Sequence, residues 1–303
     1  MASFEHLALL KWGAIGWNEW RLQTPQIEPD LQQADLRGFD LSRLDLRSAD
    51  LRRAYLAEAN LTQANLRGAR LCRANLFEAT LTHATLSEAE LVDAHLIGVR
   101  LTGADLQGAN LRGSDLREAI GTQADFSLAD LIGADLRGAT LRYADLSDAN
   151  LTRSELSRIN LNQSNLTSAT LSRANCYQAE LNRAYLTKAT LYKTLLTEAR
   201  LVQAVLIGTT LIEINGDRAD FSWANLSKAN LSGASLQAAN LRGANLSRTN
   251  LKGANLTGAN LRGVNLTKAD LSGANLSQAD LSNTTLSLTT LHQTILPDGT
   301  IHH

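Results

Sequence analysis

Stepping by five from Leu31 through Leu36, Leu41 and Leu46, the chain returns a leucine, without insertion or deletion, as far as Leu296. Only five steps differ, at Gly121, Phe126, Cys176, Gly216 and Phe221. Two positions before most steps sits a small residue, usually alanine as at Ala34, Ala49 and Ala54; one position before it sits Asp or Asn in most cases. A helix needs apolar residues near every 3.6 positions and a strand at every second, so a strict five fits neither as a continuous element. It fits short extended sides, each followed by a corner, with the leucine and the small residue turned to a common interior. Four such sides return the chain to its starting direction. A repeat of this length outranks every other signal, because it fixes the architecture before single residues are weighed.

The units Ala104-Asp105-Leu106-Gln107-Gly108 and Ala254-Asn255-Leu256-Thr257-Gly258 carry the pattern A(D/N)LxG. In this the chain resembles the pentapeptide-repeat family, over about nine-tenths of its length. The resemblance implies an all-β fold, a right-handed quadrilateral β-helix over residues 29–300 with four pentapeptides per coil. With strands about 4.8 Å apart, about 13 to 14 coils would make a rod about 65 Å long. Leucines twenty residues apart would stack into four interior ladders, each contributing roughly 1.5 to 3 kcal/mol when buried, and stability would sum over neighbouring coils. Pro25, Pro29 and Pro297 lie only at the edges of the register, as a ladder that needs N–H donors requires. Glycine recurs two positions after leucine, as at Gly68, Gly108, Gly138 and Gly258, where a corner calls for positive φ. Gly121 and Gly216 each remove an interior leucine and are followed five residues later by phenylalanine, so Phe126 and Phe221 are expected to fill the adjacent voids.

Residues 3–22 place Phe4, Leu7, Leu10, Ala14, Trp17 and Trp20 at near-helical spacing, which predicts an amphipathic helix ended by Thr24-Pro25. It reads as a helical cap over 1–28 that covers the first coil. Glu5 and Glu19 beside Lys11 and Arg21 do not make the basic stripe of a membrane-surface helix. The segment WNEWRLQTPQIEPDL also resembles the N-terminal caps of cyanobacterial pentapeptide-repeat proteins. At the other end Pro297-Asp298-Gly299 is a turn signal, with no second helix after it. The resemblance implies a homodimer through the C-terminal coils as one way to cover that edge.

Formal net charge is -1 and aromatic content 5%, which suggests neither a nucleic-acid binder nor an acidic tail. The charge is uneven: residues 1–150 hold 15 basic and 21 acidic side chains, residues 151–303 hold 14 and 9. With no linker in the register, one elongated, dipolar domain is expected. Cys72, facing out, and Cys176, in a core position, cannot build a disulfide framework. No secretory signal and no apolar run long enough to span a bilayer is seen, and a cytoplasmic location is expected. His6, His83, His95, His292, His302 and His303 fall at scattered register positions without metal-ligand spacing. No serine has an activating base at a neighbouring register position, and no glycine-rich phosphate loop opens a helix after residue 30. The chain is therefore read as no enzyme, with no metal and no cofactor.

Function must then lie in shape, ends and outward exceptions to a polar background. Tyr192, Leu195, Val202, Val205, Ile207 and Ile212 are apolar at positions that otherwise point outward, and such patches mark contact sites. This reading gives a rigid scaffold for an unidentified protein partner. The family resemblance offers a second, since some members protect DNA gyrase from quinolones by resembling duplex DNA; the near-neutral charge and the absence of loop insertions argue against it here. A third comes from Lys188, Lys228, Arg248 and Lys268, one outward column completed by Gly208, which could meet phosphates. Without the interleaved aromatics of a single-strand binder, this column is expected to be a solvated face, not a nucleic-acid site.

Overall fold

At nearly every step of the five-residue register the leucine carbonyl accepts a hydrogen bond from the N–H three residues on, as in Ala34 N to Leu31 O at 3.1 Å and Ala229 N to Leu226 O at 3.0 Å. The third residue of each such turn has positive φ, 57° at Gln33, 59° at Arg153 and 66° at Gly258. Positive φ at the third position alone is the type II pattern. From Gln33 to Gln293 the corner therefore demands the left-handed region, and Arg, Gln, Glu and Lys occupy it as well as glycine.

The computed structural model describes residues 2–303, in two compact units, Met1–Asn150 and Leu151–His303. Met1, the first residue of the expected cap, lies outside the described residues. Within each unit parallel bridges join residues twenty apart, from Asp30↔Asp50 to Asp130↔Asn150 in the first and from Glu155↔Asn175 to Asn275↔Ile295 in the second. The coil is thus four pentapeptides, and each side pairs through one residue, the position before leucine. Regular strands cannot lengthen, because two of every five residues belong to a corner. Both ladder groups of the bridging residue are used: Asp50 N donates to Pro29 O at 2.8 Å, and Leu31 N donates to Asp50 O at 2.8 Å. Proline at the register's edges lends only its carbonyl, Pro29 to Asp50 and Pro297 to Gln278.

The preference for Asp or Asn before leucine has a local cause. The side-chain Oδ1 accepts the N–H two residues on, as Asp30 does from Gln32 at 3.2 Å and Asn250 from Lys252 at 3.1 Å, satisfying a corner amide. Leucine and the small residue are buried in both units. Where the small residue is a hydroxyl it is satisfied inside: Ser114 donates to Leu111 O in its own turn, whereas Thr194 reaches Leu171 O in the coil before, both at 2.7 Å.

The two glycines in the leucine column are accommodated differently. A Cβ on Gly121 would meet Leu141 Cδ2 at 2.6 Å and Phe126 Cε2 at 3.5 Å, so the phenylalanine contributes as expected but Leu141 of the next coil comes nearest. At Gly216 the nearest atoms are Leu236 Cδ2, Ser235 O and Ile214 Cδ1. Leucine from the following coil and Ile214, not Phe221, stand closest to that gap, although Phe221 is itself fully buried.

The N-terminal segment is two helices, α1 (Phe4–Leu10) and α2 (Gly13–Gln23), where a single one is expected. Gly13 at φ 66° breaks them. The covered side is also different: Leu9, Leu10, Trp17 and Arg21 are buried, while Phe4 is 93% exposed. Residues of this segment stand in for a preceding coil. Trp17 Nε1 donates to Asp45 O at 2.9 Å and Asn18 Oδ1 accepts from Asp45 N at 2.8 Å, so both ladder groups of Asp45 are met by side chains. Arg21 donates to Arg47 O at 3.1 Å and to Ile27 O. Asp30 is met by Ser3 N at 3.0 Å and by His6 Nδ1 at 2.9 Å.

At the C-terminus β1 (Thr294–Ile295) and β2 (Ile301–His302) form a small antiparallel hairpin around the expected turn. Above it the interior column loosens, and Leu286 is 41% exposed. No helix among the described residues is long and apolar enough to cross a membrane.

Candidate interaction surfaces

The described residues include no group of three or more His, Cys, Asp or Glu side chains arranged to hold a metal ion. Cys176 lies fully inside, and burial pushes its thiol up to about 12. Burial, joined by the nearby Glu90 carboxylate, also raises the half-buried Cys72 thiol. Neither thiol is prepared as a nucleophile, which requires the opposite shift.

The structure divides the outward apolar residues among several sides of the Leu151–His303 unit. Tyr192 and Ile212 stand one coil apart at one corner, where Lys193 N donates to Ile212 O at 3.0 Å. The Lys193 ammonium lies 5.2 Å from the Tyr192 ring centroid and 3.2 Å from Glu213. Leu195, 46% exposed, is on the next side, paired with Asn175 and Asn215. Val202, Val205 and Ile207 belong to one coil and to another side, where Val205 pairs with Tyr185 and Asn225. All but Leu195 are half-buried.

That last side is bounded by the basic column. Lys188, Gly208, Lys228, Arg248 and Lys268 all occupy the positive-φ corner position and are joined coil to coil through their turns, as by Lys228 N to Ser247 O at 3.0 Å. Among the described residues no carboxylate lies within ion-pair distance of these four cations. Between the edges the side carries Asn225, Asn245 and Asn265, whose amides follow one another at 3.4 and 3.5 Å.

The opposite edge is not marked by the lysine column. Trp223 is there, at φ 60° and 58% exposed. Its indole lies over Gly243 of the next coil, so that a Cβ on that glycine would come within 2.5 Å of Cε3. Beside it is a hollow of about 310 Å³ lined by Trp223, Arg242, Gly243, Arg262, Gly263 and Asn283. Arg262 is paired with Asp280, whereas Arg242 has no carboxylate partner among the described residues. Arranging every outward position by twenties, not one column alone, is the signal that finds this edge.

The family model for pentapeptide repeats matches overlapping segments of the chain from residues 30–63 to 259–297. Among solved structures the chain is similar to HetL, a pentapeptide repeat protein involved in heterocyst differentiation regulation from the cyanobacterium Nostoc sp. strain PCC 7120. Identity is 37%, covering 69% of this chain and 91% of that one, with a TM-score of 0.49. It is also similar to QnrB1, a plasmid-mediated fluoroquinolone resistance protein, at 16% identity over 61% of this chain and 90% of that one, TM-score 0.35. A pentapeptide repeat protein from the Arabidopsis thaliana thylakoid lumen shares 30% identity over 45% and 70% of the respective chains, TM-score 0.14. No match to a curated protein was found.

Proposed function

Because the chain belongs to the pentapeptide-repeat family, with its right-handed β-helix, we propose that it is a non-enzymatic cytoplasmic scaffold that presents fixed side chains to a protein partner. By the length of the register it has about 13 to 14 turns of twenty residues, behind a helical cap. The observation that carries this reading is the interruption of a polar surface by Val202, Val205 and Ile207 on one side, by Ile212 at another corner and by the exposed Leu195 on the side next to that corner. Apolar groups on an otherwise polar surface stabilise an encounter when a partner desolvates them. A regulatory role in HetL is compatible with such a scaffold.

The loosened leucine column at the C-terminal end favours a second copy as one such partner, since Leu286 is 41% exposed where the earlier leucines of its column are buried, and the outward corner residue Leu288 adds apolar surface beside it. The test replaces Ile207 and Ile212 together by serine and compares capture of partners from the native host by mass spectrometry. Loss of a captured protein at unchanged melting temperature supports the reading. Identical capture by both forms rejects this surface, and loss of folding would place these residues in the core.

A further inference from the structure

We propose that the side of the Leu151–His303 unit between Trp223 and the basic column binds single-stranded nucleic acid. This goes beyond the protein-scaffold reading and does not depend on it. The unit's carboxylates lie on its other sides, and several are already paired: Glu213 with Lys193, Glu198 with Arg218, Asp270 with Lys252 and Asp280 with Arg262. No acidic residue occupies the outward positions of this side from residue 182 to 288. Lys228, Arg248 and Lys268 thus stand in successive coils with no counter-charge among the described residues. Like charges at strand spacing repel, and a ligand with regularly repeated negative charge relieves that repulsion.

The charge alone would suit any polyanion. Trp223 narrows the choice. Its indole is held against the Gly243 backbone, which fixes the ring and leaves the outer face open. Gly263, with open space where a Cβ would stand, leaves room beside it for a flat group, and the Arg242 guanidinium stands at the same hollow. A base can stack on such a ring whatever its identity, while the backbone follows the cations. A carboxylate-rich protein surface has no flat group to place there, and the bases of a duplex are stacked and unavailable. The ladder of Asn225, Asn245 and Asn265 is uncharged and offers the strand a polar floor.

The test measures fluorescence anisotropy of a labelled oligonucleotide of ~12 nucleotides, within the site sizes such surfaces take. Binding should weaken with salt at a log–log slope of about −3, from four cations at about 0.7 each. Trp223→Gly copies the residue found at 243 and 263, so the fold should keep its melting temperature. It should weaken the oligonucleotide about fivefold or more, as loss of one stacked base does, yet leave base-free polyphosphate unaffected. Changing Lys228 and Arg248 together to Ser should weaken both ligands and reduce the slope by about 1.4. No binding at low salt, or no change with Trp223→Gly, would overturn the proposal. So would polyglutamate displacing the oligonucleotide at equal charge concentration, which would assign the surface to an acidic protein.

Discussion

Leu141 occupies the place that a side chain on Gly121 would take: its Cδ2 lies 2.6 Å from where a Cβ would be built. The relationship inverts what the repeat pattern suggests, because the consensus residue at this step is leucine. Gly121→Leu should therefore destabilise, by about 1 to 3 kcal/mol as overpacked cores do. Denaturant melts measured with and without the companion change Leu141→Ala separate the causes. Rescue by the second change is expected; a stabilised single variant would refute the packing account.

Ala238 sits at the corner position with φ 54° and is exposed. An L residue held in the left-handed region costs about 1 to 2 kcal/mol, against which glycine adds about 0.4 to 1 kcal/mol of unfolded-chain entropy. Ala238→Gly should raise the melting temperature slightly, where the same change in a helix would lower it. A lower melting temperature would show that the corner is not strained.

Asn18→Leu removes the acceptor for Asp45 N and the donor to Arg43 O, which lie at 2.8 and 3.0 Å. Leaving a partly buried amide unmet costs about 1 to 3 kcal/mol. Hydrogen exchange should speed first at Asp45, and at amides of its neighbours in the first coil, while coils in the Leu151–His303 unit stay protected. Uniform loss of protection would mean that the helices do more than meet the ladder's first groups.

Bidentate bonding from the Arg37 side chain holds the Asp35 carboxyl down at about 2, below its ordinary 3.8. The Arg117 side chain likewise lowers Asp115. A carboxylate whose folded pKa is depressed contributes stability above its unfolded value and loses it as pH falls through the folded one. Melting temperature should thus hold from pH 7 to about 5 and fall between about 4 and 2. Asp35→Asn with Asp115→Asn should flatten that fall. An identical acid profile in the double variant would count against the pairs.

The twenty-residue coil, the buried columns and the edge prolines were all legible, because they follow from a strict period and from which groups need partners. The cap was legible only as helix. That Trp17 and Asn18 act on Asp45 could not be read, since side chains there replace backbone groups that no pattern marks as missing. Adjacency along the chain points to Phe221 for the gap at Gly216, whereas packing neighbours in a coil come equally from twenty residues on, as Leu236 does. Of the candidate surface, the lysine column was visible. Trp223 was not, because it stands across a side from that column, and Tyr192 with the five apolar residues forms one band along the chain but several sides once the coils stack.

Since a residue's direction is set by its place within twenty while the interior repeats every five, the core and the surface answer to different insertions. A single pentapeptide added between Gly208 and Trp223 would leave every leucine inside. It would carry Lys228, Arg248 and Lys268 a quarter turn away from Lys188 and take Val202 and Trp223 to different corners. Four added at once would lengthen the stack and disturb no column. Descent can therefore vary such a protein's length in whole coils with its surface intact, while a gain or loss of one repeat redraws the surface in a single step without a cost inside.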